Sequence, residues 1–247
     1  MVAAWCVIFL NLLYPRSAIA TTVMAIWTPS SLAIGADSAL WDVDTKNLQI
    51  VCKIGIANSV VYSQAGPVSW RVGQQQINIM EIERRIFASS EGTLSEKMSR
   101  LEQTLIPMLN VYTGYIRWNV RDYATQRGIY KFQAIAATST NGVIELEAVQ
   151  LQDVANVLAN SADVREIVRK SCPRDCRSGA AISLGENEII TGSDPTFWQR
   201  QPFNETINQF ISREIQAHPS TVSFPVAIID ITGETGPTWA PKGACDQ

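Results

Sequence analysis

The chain has 247 residues, of which 46% are hydrophobic and 17% are charged, and its formal net charge is −3. This composition is typical of a folded globular protein with a sizeable core, and the length leaves room for one large or two small domains. The small negative charge and the lack of a long basic run exclude nucleic acid as the expected main partner.

Residues 1–20 differ from the rest of the chain and predict a cleaved leader. The apolar run over residues 5–14 is followed by Ala18-Ile19-Ala20, the A-x-A pattern of a signal-peptide cleavage site. The run is too short to cross a bilayer and no later stretch reaches about 18 apolar residues, so we expect a mature form that is not membrane-embedded. Cleavage between Ala20 and Thr21 would leave residues 21–247 as one domain. A propeptide removed by self-cleavage is the alternative interpretation.

Strands followed by helices are expected in the first half of the mature chain. Two pairs of strands come first, and the apolar period then changes from that of a strand to that of a helix. Thr93 and Glu96 form a capping box before a long helix whose apolar residues follow in steps of four and three. The predicted strands are Thr22–Trp27, Leu32–Ala36, Leu48–Ile56 and Ser59–Gln64, and the predicted helices are Ile77–Phe87 and Leu94–Tyr115.

The second half of the chain alternates between the same two periods. Its predicted elements are a hairpin of Lys131–Thr138 and Val143–Leu151, a helix over Asp153–Lys170, a strand Glu188–Thr191, a helix capped by Asn204 and a last strand Ser223–Ile231. Runs of strands that alternate with helices predict an α+β fold, in which two antiparallel sheets are covered by helices.

Four cysteines remain when the leader is removed together with Cys6. In an exported protein this even number permits two disulfides with three connectivities, and two of the cysteines are close enough in sequence to close a small local loop. Four reduced thiols in a cytosolic enzyme are the alternative. The spacing does not match that of a zinc site, so we expect no metal. The four residues are Cys52, Cys172, Cys176 and Cys245.

Thr21, Asp37 and Lys53 form a candidate catalytic set, spaced at intervals of 16 residues. Cleavage after Ala20 would make Thr21 the N-terminus. A threonine hydroxyl is a weak nucleophile that needs an adjacent base, and the new α-amine, with a reference pKa of about 7.7–8.0, suits that role. A nearby lysine would lower the pKa values of the hydroxyl and the amine by its charge. An aspartate would keep that lysine charged and oriented.

This pattern resembles the start of proteasome β subunits, the threonine branch of the N-terminal-nucleophile (Ntn) hydrolases. The resemblance extends in element order over most of residues 21–235, and it implies a four-layer αββα sandwich. It also implies that the mature protein hydrolyses a peptide or a small amide, needs no cofactor and can assemble into a homo-oligomeric ring. The matching motifs are Thr21-Thr22, Gly35-Ala36-Asp37-Ser38, Lys53 and Ala65-Gly66.

Further roles are implied by the resemblance alone. The backbone N–H of Gly66 would help to form an oxyanion hole, and Ser193, in Gly192-Ser193-Asp194, would lie close to the nucleophile. Two sites depart from the family pattern, because Ala39 stands where the family usually has arginine and residues 218–222 lack the family's aspartate. The residues implied to line an apolar substrate pocket are Leu40, Val51 and Gly55.

The main functional expectation is a threonine-type amide hydrolase, in the form of a proteasome-like peptidase that becomes active when Thr21 is exposed. The two departures favour an alternative, a catalytically impaired relative that serves as a binding or assembly subunit. A secreted structural protein held by disulfides is a third interpretation, supported by the leader and the cysteines. A signal peptide would place the protein outside the cytoplasm, whereas a self-cleaved propeptide would leave it in the cytoplasm.

Overall fold

The computed structural model describes most of the chain. The predicted cleavage residue Ala20, the predicted strand Glu188–Thr191 and the turn that contains Ser193 lie outside the described residues. The described ranges are 6–9, 21–42, 47–72, 75–119, 131–156, 161–176, 178–185, 197–198, 202–219, 222–240 and 243–246.

Strands outnumber helices in the described ranges. The strands are β1 (Cys6–Phe9), β2 (Thr22–Trp27), β3 (Ser31–Ala36), β4 (Ala39–Asp42), β5 (Asn47–Ile50), β6 (Ile54–Ala57), β7 (Val60–Ala65), β8 (Ser69–Val72), β9 (Gln75–Asn78), β10 (Lys131–Thr140), β11 (Val143–Asn156), β12 (Ser161–Cys172), β13 (Ala180–Gly185), β14 (Ala227–Thr232) and β15 (Gly236–Trp239). The helices are α1 (Ile79–Ala88), α2 (Leu94–Asn119) and α3 (Phe203–Ala217), and a 3₁₀ helix spans Gly243–Asp246.

The larger sheet has six strands in the order β1-β13-β2-β3-β14-β15, and its neighbours are antiparallel except for β1, which runs parallel to β13. The predicted β2–β3 hairpin is confirmed. Its turn is closed by Thr28, whose N–H donates to the Ser31 carbonyl at 2.8 Å and whose Oγ1 accepts from the Ser31 N–H at 3.0 Å. Every side chain of β2 is buried, as expected for a strand that is covered on both faces.

The second sheet has five antiparallel strands in the order β12-β11-β10-β7-β6. The prediction of a helix over Asp153–Lys170 is wrong, because these residues belong to β11 and β12 where the structure describes them. The two strands pair from Leu146 opposite Cys172 to Asn156 opposite Ser161. Valine and isoleucine are frequent in both strands, and the pairing of β11 with both β10 and β12 favours the extended form over a helical period that short apolar runs also satisfy.

Helix ends agree with the sequence in one case and differ in another. The predicted capping box of α2 is confirmed, since the Thr93 N–H donates to Glu96 Oε2 at 2.7 Å and the Glu96 N–H donates to Thr93 Oγ1 at 3.3 Å. The predicted cap Asn204 is wrong, because the N-cap of α3 is Pro202. Asn204 lies inside the first turn, and its Nδ2 donates to Asp230 Oδ2 on β14 at 3.1 Å. None of the described helices is both long and apolar enough to cross a membrane.

Three hydrophobic clusters hold the elements together. The first contains residues of both large sheets, such as Trp27 and Ile135. The second joins the five-stranded sheet to α1 and α2, with Leu101 at 0% exposure. The third joins the six-stranded sheet to α3 through Met24 and Phe210. The chain is therefore a mixed α+β protein whose antiparallel sheets are packed with helices.

Two disulfides link the four cysteines that follow Cys6 in the sequence. Cys52 is bonded to Cys245 across 193 residues, and Cys172 is bonded to Cys176 across four. The second bond closes the turn that follows β12, as the short spacing suggested. The first bond ties the 3₁₀ helix near the C-terminus to the residue directly before Lys53.

Candidate active site

Thr21, Asp37 and Lys53 meet at one end of the six-stranded sheet. Thr21 directly precedes β2 and Asp37 directly follows β3, so the antiparallel hairpin brings both residues to the same end. The Asp37 N–H donates to the Thr22 carbonyl at 3.0 Å and extends the ladder by one bond. Lys53 arrives from the other sheet, directly before β6. All three residues are buried, with exposures of 3%, 1% and 4%.

The Lys53 ammonium lies between the other two side chains. Its Nζ donates to Thr21 Oγ1 at 2.9 Å and to Asp37 Oδ1 at 2.8 Å. Because a protonated lysine has three donors and no acceptor, Thr21 Oγ1 must be the acceptor in this bond. The hydroxyl proton of Thr21 is therefore directed away from Lys53.

Asp37 is held by backbone groups as well as by Lys53. Its Oδ1 accepts from the Thr22 N–H at 2.8 Å, and its Oδ2 accepts from the N–H groups of Ala39 at 2.8 Å and Ser223 at 3.2 Å. Ala39, which departs from the expected arginine, thus contributes through its backbone, as any residue except proline could. The Ser223 contact was not predicted, since a backbone donor 186 residues away leaves no pattern in the sequence.

The charge of Lys53 depends on two opposing effects. Burial lowers the pKa of the Lys53 ammonium below its ordinary value, while the charge of Asp37 and its hydrogen bond raise that pKa. The Lys53 ammonium therefore donates to Thr21 Oγ1 with a proton that burial makes easier to lose. This arrangement can stabilise negative charge that develops on Thr21 Oγ1, provided that Asp37 keeps the lysine protonated.

Gly66 directly follows β7, where its φ of +127° lies in a region that favours glycine. Gly185, at the end of β13, has a φ of +78°, and a Cβ added there would clash with the Thr21 carbonyl. The same added Cβ would lie 3.2 Å from the Cβ of Ala65. Gly185 therefore packs between Thr21 and the end of β7, a contact that was not predicted from the sequence.

The implied pocket residues lie close to this group along the chain. Leu40 lies on β4 and is half-buried, and Val51 is half-buried with its N–H donating to the Ser38 carbonyl at 2.9 Å. Gly55 lies on β6 beside the ring of Tyr62, which fills the space that a side chain would need. The structure thus places Leu40 and Val51 on the segments that carry Asp37 and Lys53, and Gly55 against an aromatic wall.

The segment that lacks the expected aspartate leads from α3 back to Asp37. His218 ends α3, with its Nε2 3.8 Å from Glu214 Oε2. Its carbonyl accepts from the Val222 N–H at 3.0 Å, and the next residue, Ser223, donates to Asp37. Within the described part of this segment, support for the site comes from the backbone.

These hydrogen bonds connect a buried hydroxyl, a buried ammonium and a buried carboxylate in that order. No protein-family model matches the chain, and no curated protein matches it significantly. The chemistry of Thr21, Asp37 and Lys53 is therefore the main guide to function.

Proposed function

We propose that the protein is a threonine-type N-terminal-nucleophile amide hydrolase, a proteasome-like peptidase that becomes active when Thr21 is the N-terminus. The observation that carries the proposal is the Lys53 ammonium, which lies within 2.9 Å of both Thr21 Oγ1 and Asp37 Oδ1. Threonine, aspartate and lysine are each common residues. Their burial in one hydrogen-bonded group supports a shared chemical role.

The packing of the layers supports the fold part of the proposal. One cluster lies between the two large sheets, a second covers the outer face of the five-stranded sheet with α1 and α2, and a third covers the outer face of the six-stranded sheet with α3. This order corresponds to a four-layer αββα sandwich. We propose that it is the Ntn-hydrolase fold, with residues 21–247 as the domain.

Removal of residues 1–20 is the step that would create the base. In the full chain the nitrogen of Thr21 belongs to a peptide bond and cannot accept a proton. After cleavage the nitrogen becomes an amine, which takes the Thr21 hydroxyl proton directly or through a water as Oγ1 attacks the substrate carbonyl. The proton then passes to the departing amine as the C–N bond breaks. Water hydrolyses the resulting ester, releases the acid and restores the Thr21 hydroxyl.

Lys53, Asp37 and Gly66 have supporting roles in this scheme. The charge of Lys53 lowers the pKa of the Thr21 hydroxyl and of the α-amine, and Asp37 keeps Lys53 protonated and directed at Oγ1. The Gly66 N–H, just beyond the β7 ladder, would donate to the oxyanion. Such a donor contributes about 3–4 kcal/mol of transition-state stabilisation.

The substrate class is a peptide or a small amide. Leu40 and Val51 are half-buried apolar residues on the segments that carry Asp37 and Lys53, and Gly55 packs closely against the Tyr62 ring. An apolar side chain on the acyl side of the scissile bond fits these residues best. Assembly of copies into a ring is part of the same proposal, and the oligomeric state in solution by light scattering tests it.

The two interpretations of the leader differ in when it is removed. β1 belongs to the leader and pairs with β13, so a chain that folds before cleavage carries an additional edge strand. A signal peptide would be removed before this pairing could form. The two disulfides favour an oxidising compartment and hence export. If purified full-length Thr21→Ala protein is cut after Ala20 only by an export peptidase, the leader is a signal peptide; if only the wild type cuts itself, it is a propeptide.

The mature N-terminus tests the proposed function. Intact mass and N-terminal sequencing are expected to show Thr21 as the first residue, and the mature protein is expected to hydrolyse fluorogenic amides with apolar acyl groups. A mature protein that begins at any other residue contradicts the mechanism. A mature protein that begins at Thr21 but hydrolyses none of a broad amide panel supports the alternative, an impaired binding or assembly subunit.

A further inference from the structure

Gln133 connects the two large sheets beside the candidate nucleophile. This residue lies on β10 and is 1% exposed. Its Oε1 accepts a hydrogen bond from the Gly185 N–H at 2.7 Å. Because Gln133 belongs to the five-stranded sheet and Gly185 to the six-stranded sheet, this bond links the sheets at the end where Thr21 lies.

Gly185 packs against Thr21, so the bond from Gln133 also affects where Thr21 lies. It is paired with Thr22 in the β13–β2 ladder, and its Cα lies so close to the Thr21 carbonyl that no Cβ could be added. A shift of the Gly185 backbone would therefore move Thr21 as well. Since interiors are close-packed, such a shift could not be absorbed locally.

The other end of Gln133 is tied to the predicted oxyanion donor. Gln133 is the cross-strand partner of Ala65 in the β10–β7 ladder, and Ala65 directly precedes Gly66. The backbone of Gln133 thus pairs with the last residue of β7, directly before Gly66, and its side chain accepts a hydrogen bond from Gly185, which packs against Thr21.

The amide of Gln133 is held in a single orientation. Its Nε2 donates to Gln150 Oε1 at 3.0 Å, and Gln150 in turn donates through Nε2 to Gln152 Oε1 at 3.3 Å. If the Gln133 amide were rotated by half a turn, Nε2 would face the Gly185 N–H and Oε1 would face Gln150 Oε1, and both bonds would be lost. The chain of amides therefore fixes Oε1 as the acceptor for Gly185.

We infer that Gln133 is a positioning residue that sets the separation between the Thr21 hydroxyl and the Gly66 N–H. The inference rests on the proposed function, because it assigns Gln133 a part in the same hydrolysis. Oxyanion stabilisation depends on the distance between donor and nucleophile, and a displacement of about 1 Å costs about 100-fold in rate. Gln133 is not placed against the substrate, so its loss affects kcat more than KM.

The test compares four forms of the mature protein: wild type, Gln133→Met, Gln133→Glu and Ile135→Ala. Methionine matches glutamine in length without its polar atoms. Ile135 lies on the same strand and in the cluster between the sheets, so Ile135→Ala serves as a control that lowers stability without removing the bond to Gly185. The measurements are kcat, KM, Tm and the rate at which a β-lactone acylates Thr21.

Gln133→Met is expected to lower kcat and the acylation rate by about 10- to 100-fold, with KM changed by less than about threefold. Gln133→Glu keeps an acceptor for the Gly185 N–H and, when protonated, a donor for Gln150. Its kcat, as a fraction of the wild-type kcat at the same pH, should therefore be highest at low pH and fall as the buried acid ionises. Ile135→Ala should lower Tm while kcat stays near that of the wild type.

Two results would overturn the inference in distinguishable ways. If wild-type Thr21 reacts but Gln133→Met matches it in kcat and acylation rate, or if Ile135→Ala loses as much kcat for the same loss of Tm, Gln133 has only a structural role. If Thr21 of the wild type neither reacts with the β-lactone nor supports hydrolysis, the proposed function fails and the inference fails with it.

Discussion

The carboxylate of Asp37 and the ammonium of Lys53 form an ion pair of 2.8 Å in which the two side chains are 0% and 2% exposed. Asp37→Asn keeps the shape but leaves the lysine charge unpaired, and breaking a buried pair in this way costs about 3–5 kcal/mol. We expect a lower Tm and a fall in amide hydrolysis on the order of 100-fold. The control is Asp163→Asn, whose exposed side chain lies 3.6 Å from Arg165. Equal rates for Asp37→Asn and the wild type would contradict the role given to Asp37.

The pH dependence of hydrolysis should report the protonation of Lys53. Burial lowers the pKa of this ammonium below its ordinary value of 10.5, and Asp37 opposes that effect. Because the protonated form supports the reaction, activity should fall as pH rises through the lowered pKa. In Asp37→Asn the opposing charge is gone, so the alkaline limb should move to lower pH. A limb at the same pH in both proteins would show that it belongs to another group.

The sequence predicted those elements of the fold whose conformation is determined by residues close together in the chain. The hairpin of β2 and β3, the capping box at Thr93 and the long α2 all follow from local spacing. The prediction of a helix over residues 153–170 was wrong because the apolar residues there fit the period of a helix as well as that of a strand. The extended form depends on the pairing of β11 with β10 and of β12 with β11, which the local pattern does not show.

In the candidate site, too, the residues with a spacing pattern were predicted and the contacts between distant parts of the chain were not. The spacing of Thr21, Asp37 and Lys53 was visible, and the structure brings these three residues together. The Ser223 N–H that supports Asp37 and the Gln133 side chain that holds Gly185 were not predicted. Both act across more than 50 residues, through a backbone group or a buried amide, and neither feature has a recurring pattern in sequence.

The disulfide between Cys52 and Cys245 should affect both stability and rate. Because this bond closes a loop of 193 residues, it strongly restricts the conformational freedom of the unfolded chain. Its loss should lower the free energy of unfolding by about 2–5 kcal/mol. Since Cys52 precedes Lys53, the Cys52→Ser/Cys245→Ser double variant should also lower kcat. Denaturant melts and steady-state kinetics measure the two effects.

The local disulfide provides the matched control. Cys172 and Cys176 are only four residues apart, so the corresponding double serine variant should lose less stability and keep the wild-type kcat. A fall in kcat of equal size in both double variants would show that the Cys52–Cys245 bond has no specific influence on Lys53.

Glu83 should make stability fall with rising pH. It lies on α1 with 1% exposure, and burial raises the pKa of its carboxyl well above 4.5. Between 4.5 and the raised pKa the folded state binds more protons than the unfolded state, so the free energy of unfolding decreases as pH rises. In Glu83→Gln this dependence disappears, and its advantage over the wild type should grow as the pH rises above 4.5 towards the raised pKa of Glu83.

Urea melts across this pH range compare Glu83→Gln with Glu81→Gln on the same helix. Glu81 is exposed, and its hydrogen bond with Arg84 lowers the pKa of its carboxyl, so its replacement should bring no advantage that grows with pH. Parallel stability curves for the wild type and Glu83→Gln would contradict a protonated Glu83 in the folded state.

Covalent labelling of the mature protein tests the nucleophile most directly. A β-lactone that acylates hydroxyl groups is added, and intact mass with peptide mapping locates the adduct. We expect one adduct, on Oγ1 of an N-terminal Thr21, with none on Thr21→Ala and a much slower reaction for Lys53→Met. An adduct at another residue, or equal labelling of Thr21→Ala, would contradict Thr21 as the nucleophile.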